Sequence, residues 1–152
     1  MRVAVIGAGI FGVLAALRLR DAGHQVTLIE RHPGPLMGAS FHNQNRLHLG
    51  YHYPRDWETA RQCIRGFTRF RSEFSDCIVG MDKNAYFVAS EGSLTSSAEY
   101  LDFADRLGVA SGMPPQHIDL SSFPPQVRGV DVGIAVPELI YDCAELRAIV
   151  AE

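Results

Sequence analysis

The segment HNQNRLHLGYHYP, residues 42–54, places three histidines, two asparagines and two tyrosines in thirteen positions. So dense a set of hydrogen-bonding rings serves one of three chemistries. It ligates a metal, moves protons near neutral pH, or walls a flat cofactor. His48 and His52 are four apart, a spacing that would put both on one helix face. Gly50 between them and Pro54 after them oppose a helix. Neither an acid nor a cysteine lies between Glu30 and Asp56 to complete a ligand set. A metal site is therefore not expected. A cofactor wall is the reading preferred, with a solvated packing loop as the bland alternative.

A second constellation opens the chain. RVAVI, residues 2–6, reads as a parallel strand buried on both faces. GAGIFG follows at 7–12, then VLAALRLRDAG as a helix with Leu14, Leu17 and Ala22 among its packing positions and Gly23 as its stop. HQVTLIE forms a second strand ending at Glu30. In this pattern Gly7 permits the tight turn, Gly9 lets the backbone approach a pyrophosphate, and Gly12 lets helix and strand close up. The helix start aims unpaired N–H groups at the phosphates. Glu30, 18 residues beyond Gly12, can accept from both hydroxyls of an adenosine ribose. An acid there repels a ribose 2′-phosphate, which disfavours NADP. The motif alone does not separate FAD from NAD. The loop after Glu30, rich in proline and glycine and then in rings, is unlike the crossover helix that an NAD-binding unit places there.

These residues sit in a chain of 152, the length of one ordinary domain. About half of it is apolar, enough for a core, and its net charge is −3. That balance gives no reason to expect nucleic acid as partner. The N-terminal apolar run is interrupted by Gly7, Gly9 and Gly12 and is too short to cross a bilayer, so it reads as part of the fold. Cys63, Cys77 and Cys143 form no CxxC, and an odd number cannot all pair; buried reduced thiols and a cytoplasmic location are expected.

Residues 55–76 show Trp57, Ala60, Ile64, Phe67, Phe70 or Arg71, and Phe74 at three- and four-residue spacing, one face of a long helix. Arg61, Arg65 and Arg69 recur on another side, read as a solvated face rather than an anion site. NAYFVAS reads as a strand. SLTSSAEYLDFADRLGV reads as a helix capped by Ser93 or a nearby Ser or Thr and stopped at Gly108. SGMPP and SFPPQVRG are loops, VDVGIAVPE a strand, and YDCAELRAIVAE a helix.

VAVIGAGIFGVLAALRLRDAGHQVTLIER, the GAS..N that follows, and NRLHLGYHYP together resemble the N-terminal part of FAD-dependent oxidoreductases of the D-amino-acid oxidase superfamily. HNQNRLHLGYHY is similar to the HNSGVIHAGIYY type of segment in L-2-hydroxyglutarate oxidases and dehydrogenases, and to amino-acid dehydrogenase-like flavoproteins. The specific likeness lies in the first 54 residues. By this resemblance Gly7, Ala8, Gly9, Ile10, Phe11 and Gly12 cradle the FAD pyrophosphate, and Glu30 and Arg31 hold the adenosine ribose. Ala39, Ser40 and Asn43 line the run towards the flavin. Leu47, His48, Leu49 and Gly50 lie against its ring. His42 aligns with a histidine joined covalently to flavin in dimethylglycine and sarcosine dehydrogenases, although those have WHAAG where this chain has FHNQN. Asn45 and Arg46 depart from the glycine-containing family pattern. Tyr86 and Tyr141 are read as substrate-facing or as core or edge tyrosines.

The resemblance implies an α/β fold. A Rossmann-like FAD-binding βαβ unit with an incomplete parallel sheet leads into the beginning of an α+β substrate domain. The expected division is 1–80 for the FAD-binding part, 81–136 for the start of the substrate domain, and 137–152 for a truncated return helix. The implied reaction is hydride transfer from a small amino or 2-hydroxy acid to flavin N5, with His48 as proton acceptor. The expected partners are a small amino or hydroxy acid substrate and either further copies of the chain in a homo-oligomer or a missing C-terminal half. The alternatives are a non-catalytic nucleotide-binding remnant or assembly module, and an NAD-dependent oxidoreductase.

Overall fold

The computed structural model describes residues 1–122 and 128–151, with the side chains of 81–83 left aside; the core of the SFPPQVRG loop falls outside the described residues. In chain order the elements are β1 (Arg2–Ile6), α1 (Ile10–Asp21), β2 (Gln25–Ile29), β3 (Arg46–Leu47), α2 (Trp57–Glu73), β4 (Ile78–Ala89), α3 (Ser97–Ser111), β5 (Gln116–His117), β6 (Val130–Tyr141) and α4 (Cys143–Ala151). They fall into two compact units. The first holds Met1–Arg46, Asp76–Val79 and Tyr141–Glu152; the second holds Leu47–Ser75 and Gly80–Ile140.

In the first unit β1 and β2 pair in parallel, from Arg2 opposite Gln25 to Ile6 opposite Ile29, with α1 as the crossover. This begins a Rossmann-like unit. α1 buries Val13 and Ala16, while Leu14 and Leu17 are half-buried. Ala22, expected in the packing, is exposed because it caps the helix after the last full turn. Gly23 follows in a left-handed conformation, φ 82°, where a β-carbon would be strained. The expectation that β1 is buried on both faces does not hold. Its residues alternate between exposed and half-buried, and Ile6 is 85% exposed. The reason is that α1 packs on one face only of this two-stranded ribbon.

In the second unit a four-stranded sheet runs in the order β3-β6-β4, with β5 antiparallel on β6. β6 is therefore flanked on both sides. α2 starts at Asp56, whose carboxylate accepts from the Thr59 N–H at 3.0 Å. It buries Ala60 and Phe67 and packs against α3, where the edge of Trp57 meets Phe103 at 6.1 Å and the Arg106 guanidinium lies 4.7 Å above the indole. Arg65 and Arg69 pair with Glu58 and Glu73 on the exposed side, as a solvated stripe does.

α3 begins with a capping box between Ser96 and Glu99. It does not stop at Gly108 but runs to Ser111 and closes on Gly112, φ 69°. Gly108 serves packing instead: a β-carbon there would stand 2.7 Å from Pro115 and 2.8 Å from Pro114. Among the described residues no helix is long and apolar enough to cross a membrane, and the three cysteines are free thiols. Burial pushes all three thiols up in pKa.

Candidate active site

The first unit contains a dinucleotide-type turn. Gly7 leaves β1 at φ 95° and donates its N–H to the Ile29 carbonyl at 2.8 Å. A methyl group on Gly12 would lie 1.9 Å from the Gly7 carbonyl oxygen, so only glycine lets α1 start this close to the strand. Gly9 is the N-cap of α1 and has no side chain to satisfy the helix end. The N–H groups of Ile10, Phe11 and Gly12 open the helix, where no earlier carbonyl of the helix lies below them. Ile10 N–H donates to Ser40 Oγ at 3.0 Å, which ties the predicted loop residue to the predicted turn. A bare turn, a helix start and a terminal acid fit a pyrophosphate-linked dinucleotide.

Glu30 follows directly on β2. Its Oε2 accepts from Ala8 N–H at 2.6 Å, and its Oε1 accepts from the N–H groups of Arg31 and His32, both at 2.9 Å. The Ala8 and His32 N–H groups hold its carboxyl below the ordinary carboxylate range, against a smaller desolvation effect. Ser40 and Asn43 are linked through the amide of Asn43, which donates to the Ser40 carbonyl at 2.7 Å; Asn43 Oδ1 accepts from Tyr141 at 3.2 Å. Tyr141 is thus engaged at the loop. Ala39, His42 and Phe11 are exposed, and His42 meets Phe41 edge-on at 5.3 Å.

Leu47, His48, Leu49 and Gly50 belong to the second unit. Leu47 is half-buried and Leu49 only 1% exposed. Gly50, at φ 102°, allows the loop to lie on α2; a β-carbon would meet the Ala60 backbone at 2.9 Å. The loop is not helical, as Gly50 and Pro54 require. Among the described residues no three His, Cys, Asp or Glu stand together as a metal-ligand set.

The loop instead brings His48 to a carboxylate that the sequence reading passed over. Glu138 on β6 is fully buried. Its Oε2 accepts from His48 Nδ1 at 2.9 Å and from Asn84 Nδ2 at 2.8 Å. Its Oε1 accepts from Leu49 N–H at 3.1 Å and from the Tyr86 hydroxyl at 3.0 Å. The strand order explains the convergence. Asn84 and Tyr86, two apart on β4, share one face, and His48 and Leu49 follow β3 on the other side of β6.

Burial alone would raise the Glu138 pKa; the donors His48, Asn84 and Leu49 outweigh it and hold the carboxyl low. Burial and the adjacent carboxylate push the Tyr86 phenol far up, so it remains a donor. The His52 ring stacks on Tyr86 at 6.2 Å and meets His48 edge-on at 4.9 Å. Tyr51, His52 and Tyr86 then line a cleft of about 400 Å³ with Ser93, Thr95 and Tyr100.

Glu138 had a signal in the sequence. Ile134, Val136 and Glu138 alternate along β6 and all are completely buried. A lone acid at the inward register of an apolar strand requires donors. The predicted Tyr86 joins the cluster.

The family described as FAD dependent oxidoreductase matches residues 2–147 of this chain. An FAD-dependent monooxygenase of Fusarium mangiferae is 32% identical over 146 residues, which are 95% of this chain and 37% of that protein. An FAD-dependent monooxygenase of Aspergillus flavus is 31% identical over 106 residues, 70% of this chain and 25% of the relative. A D-amino acid dehydrogenase of Sinorhizobium medicae is 50% identical over 54 residues, 36% of this chain and 13% of that enzyme. The chain thus spans little more than a third of the Fusarium relative and less of the others.

Proposed function

This chain belongs to the family of FAD-dependent oxidoreductases, and on that footing we propose that it carries the dinucleotide-holding turn and a proton acceptor of an enzyme oxidising a small amino or 2-hydroxy acid. The observation that carries this reading is the closed approach of Gly12 to the Gly7 carbonyl in a strand-turn-helix-strand unit ending in Glu30. Gly7, Ala8, Gly9, Ile10, Phe11 and Gly12 hold the FAD pyrophosphate. Glu30 and Arg31 take the adenosine ribose. Ala39, Ser40, His42 and Asn43 continue the binding path, and Leu47, His48, Leu49 and Gly50 serve the flavin end. Substrate binding is assigned to the second unit.

FAD held by these residues would supply a two-electron acceptor for the hydride that leaves the substrate carbon. The chain's own residues handle the other proton. As the C–H is broken, the substrate amine or hydroxyl must lose a proton, and we assign its receipt to His48. The His48 side chain keeps 32% of its surface exposed, so the imidazole remains within reach of a small molecule. The substrate becomes the imino or keto acid, two electrons poorer.

The test is the visible absorbance of the purified chain with and without added FAD, followed by dye-linked turnover of D-amino and 2-hydroxy acids on the flavin-loaded protein. Flavin bands and turnover support the reading. No flavin uptake by the folded chain would sink it.

The length of the Fusarium match supports a second reading, oxygen transfer to the substrate. Isotope-labelled dioxygen separates the two, because label enters the product only in a monooxygenase.

A further inference from the structure

Glu138 has no role in the proposed chemistry, yet it is the only fully buried charged residue among those described. A carboxylate buried in this way must be compensated by donors. It has four: His48 Nδ1, Asn84 Nδ2, the Leu49 N–H and the Tyr86 hydroxyl. An ionised carboxylate only accepts. The imidazole nitrogen 2.9 Å from Oε2 must therefore be the donor, because two lone pairs at that distance would repel. In a neutral imidazole, a proton on Nδ1 leaves Nε2 with a free lone pair.

We propose that Glu138 is the positioning residue for His48: it fixes the Nδ1–H tautomer and leaves Nε2 as the nitrogen that accepts the substrate proton. This rests on the reading of His48 as proton acceptor. Tyr86 and Asn84 hold the carboxylate in turn. The Tyr86 hydroxyl lies 3.2 Å from His48 Nδ1 as well as 3.0 Å from Glu138 Oε1, so it braces both partners. The Leu49 N–H sets the backbone next to the ring. A glutamine at 138 would keep the size and one accepting oxygen, but it would turn an N–H towards Nδ1. The ring would then carry its proton on Nε2, the wrong nitrogen for accepting one.

The deciding experiment is nitrogen NMR of ¹⁵N-histidine-labelled chain and of Glu138→Gln, at a pH high enough to leave the ring neutral. We expect His48 to carry its proton on Nδ1 in the native chain and on Nε2, or mixed, in the variant. An Nε2–H tautomer in the native chain overturns the proposal, and this result does not depend on the variant folding. An unchanged Nδ1–H tautomer in a folded Glu138→Gln overturns it too.

In the flavin-loaded enzyme Glu138→Gln should lower kcat by on the order of 10²- to 10⁴-fold with little change in KM. If His48→Asn is crippled and Glu138→Gln is not, this inference fails alone. If His48→Asn retains full activity, the reading of His48 fails, while the tautomer result still stands or falls by NMR.

Discussion

The carboxylate of Glu30 reaches back across 22 residues to the Ala8 N–H at 2.6 Å, joining the end of the second strand to the glycine turn after the first. The residue expected to bind ribose therefore also shapes the phosphate turn. Glu30→Gln should weaken FAD binding and destabilise the chain at neutral pH. Its carboxyl is held below 4.5 in the fold by the Ala8 and His32 N–H groups. A depressed carboxylate stabilises above its unfolded value and loses that contribution as pH falls through the folded one. Thermal melts of native and Glu30→Gln chains should thus differ at pH 7, and the difference should shrink only as the pH falls below the ordinary carboxylate range, through the lowered folded value. Parallel curves throughout would show that the charge at Glu30 is idle.

Gly12 and Gly9 should separate folding from binding. Gly12→Ala forces a methyl group to 1.9 Å from the Gly7 oxygen and should cost about 3 kcal/mol in urea unfolding. Gly9→Ala meets only Ser40 Oγ, at 3.5 Å, an ordinary contact. Its stability should change little, whereas its FAD affinity should fall if Gly9 has the pyrophosphate-binding role proposed above. Equal losses of stability in both would contradict the assignment.

Ser96 should count for more than its exposure suggests. Its Oγ accepts from the Glu99 N–H at 3.3 Å, and the Glu99 carboxylate accepts from the Ser96 N–H at 2.9 Å. Ser96→Ala should destabilise by about 1 kcal/mol in denaturant titration. Ser93→Ala, at the cap position first favoured by the sequence, should cost less.

The arginines of α2 should be dispensable. Arg61, Arg65 and Arg69 are each more than half exposed in their side chains. Alanine at any one should move stability by no more than about 0.5 kcal/mol. A collapse of flavin binding on these changes would instead revive an anion-binding role for the stripe.

Local patterns read well from the sequence. The glycine turn, α1, the non-helical loop around Gly50 and the long α2 each depend on residues within about twenty positions, where periodicity and glycine placement carry the signal. Burial depended on what else covers a surface, which is why Ile6 lies open although its strand is apolar. Gly108 looked like a stop because glycine ends many helices, but the nearby Pro114 and Pro115 need it for close packing. The His48–Glu138 pair spans 90 positions. Nothing local in the His-rich loop announces its partner; only the inward register of Glu138 among apolar neighbours does.

The four donors that converge on Glu138 come from two stretches of the chain, His48–Leu49 and the strand holding Asn84 and Tyr86, both far in sequence from their acceptor. Such a group is hard to alter one mutation at a time. Loss of any donor strands part of a buried charge, and loss of the charge leaves several donors without their acceptor. Inheritance should therefore treat His48, Asn84, Tyr86 and Glu138 as a block, so that descendants keep the set or replace it together.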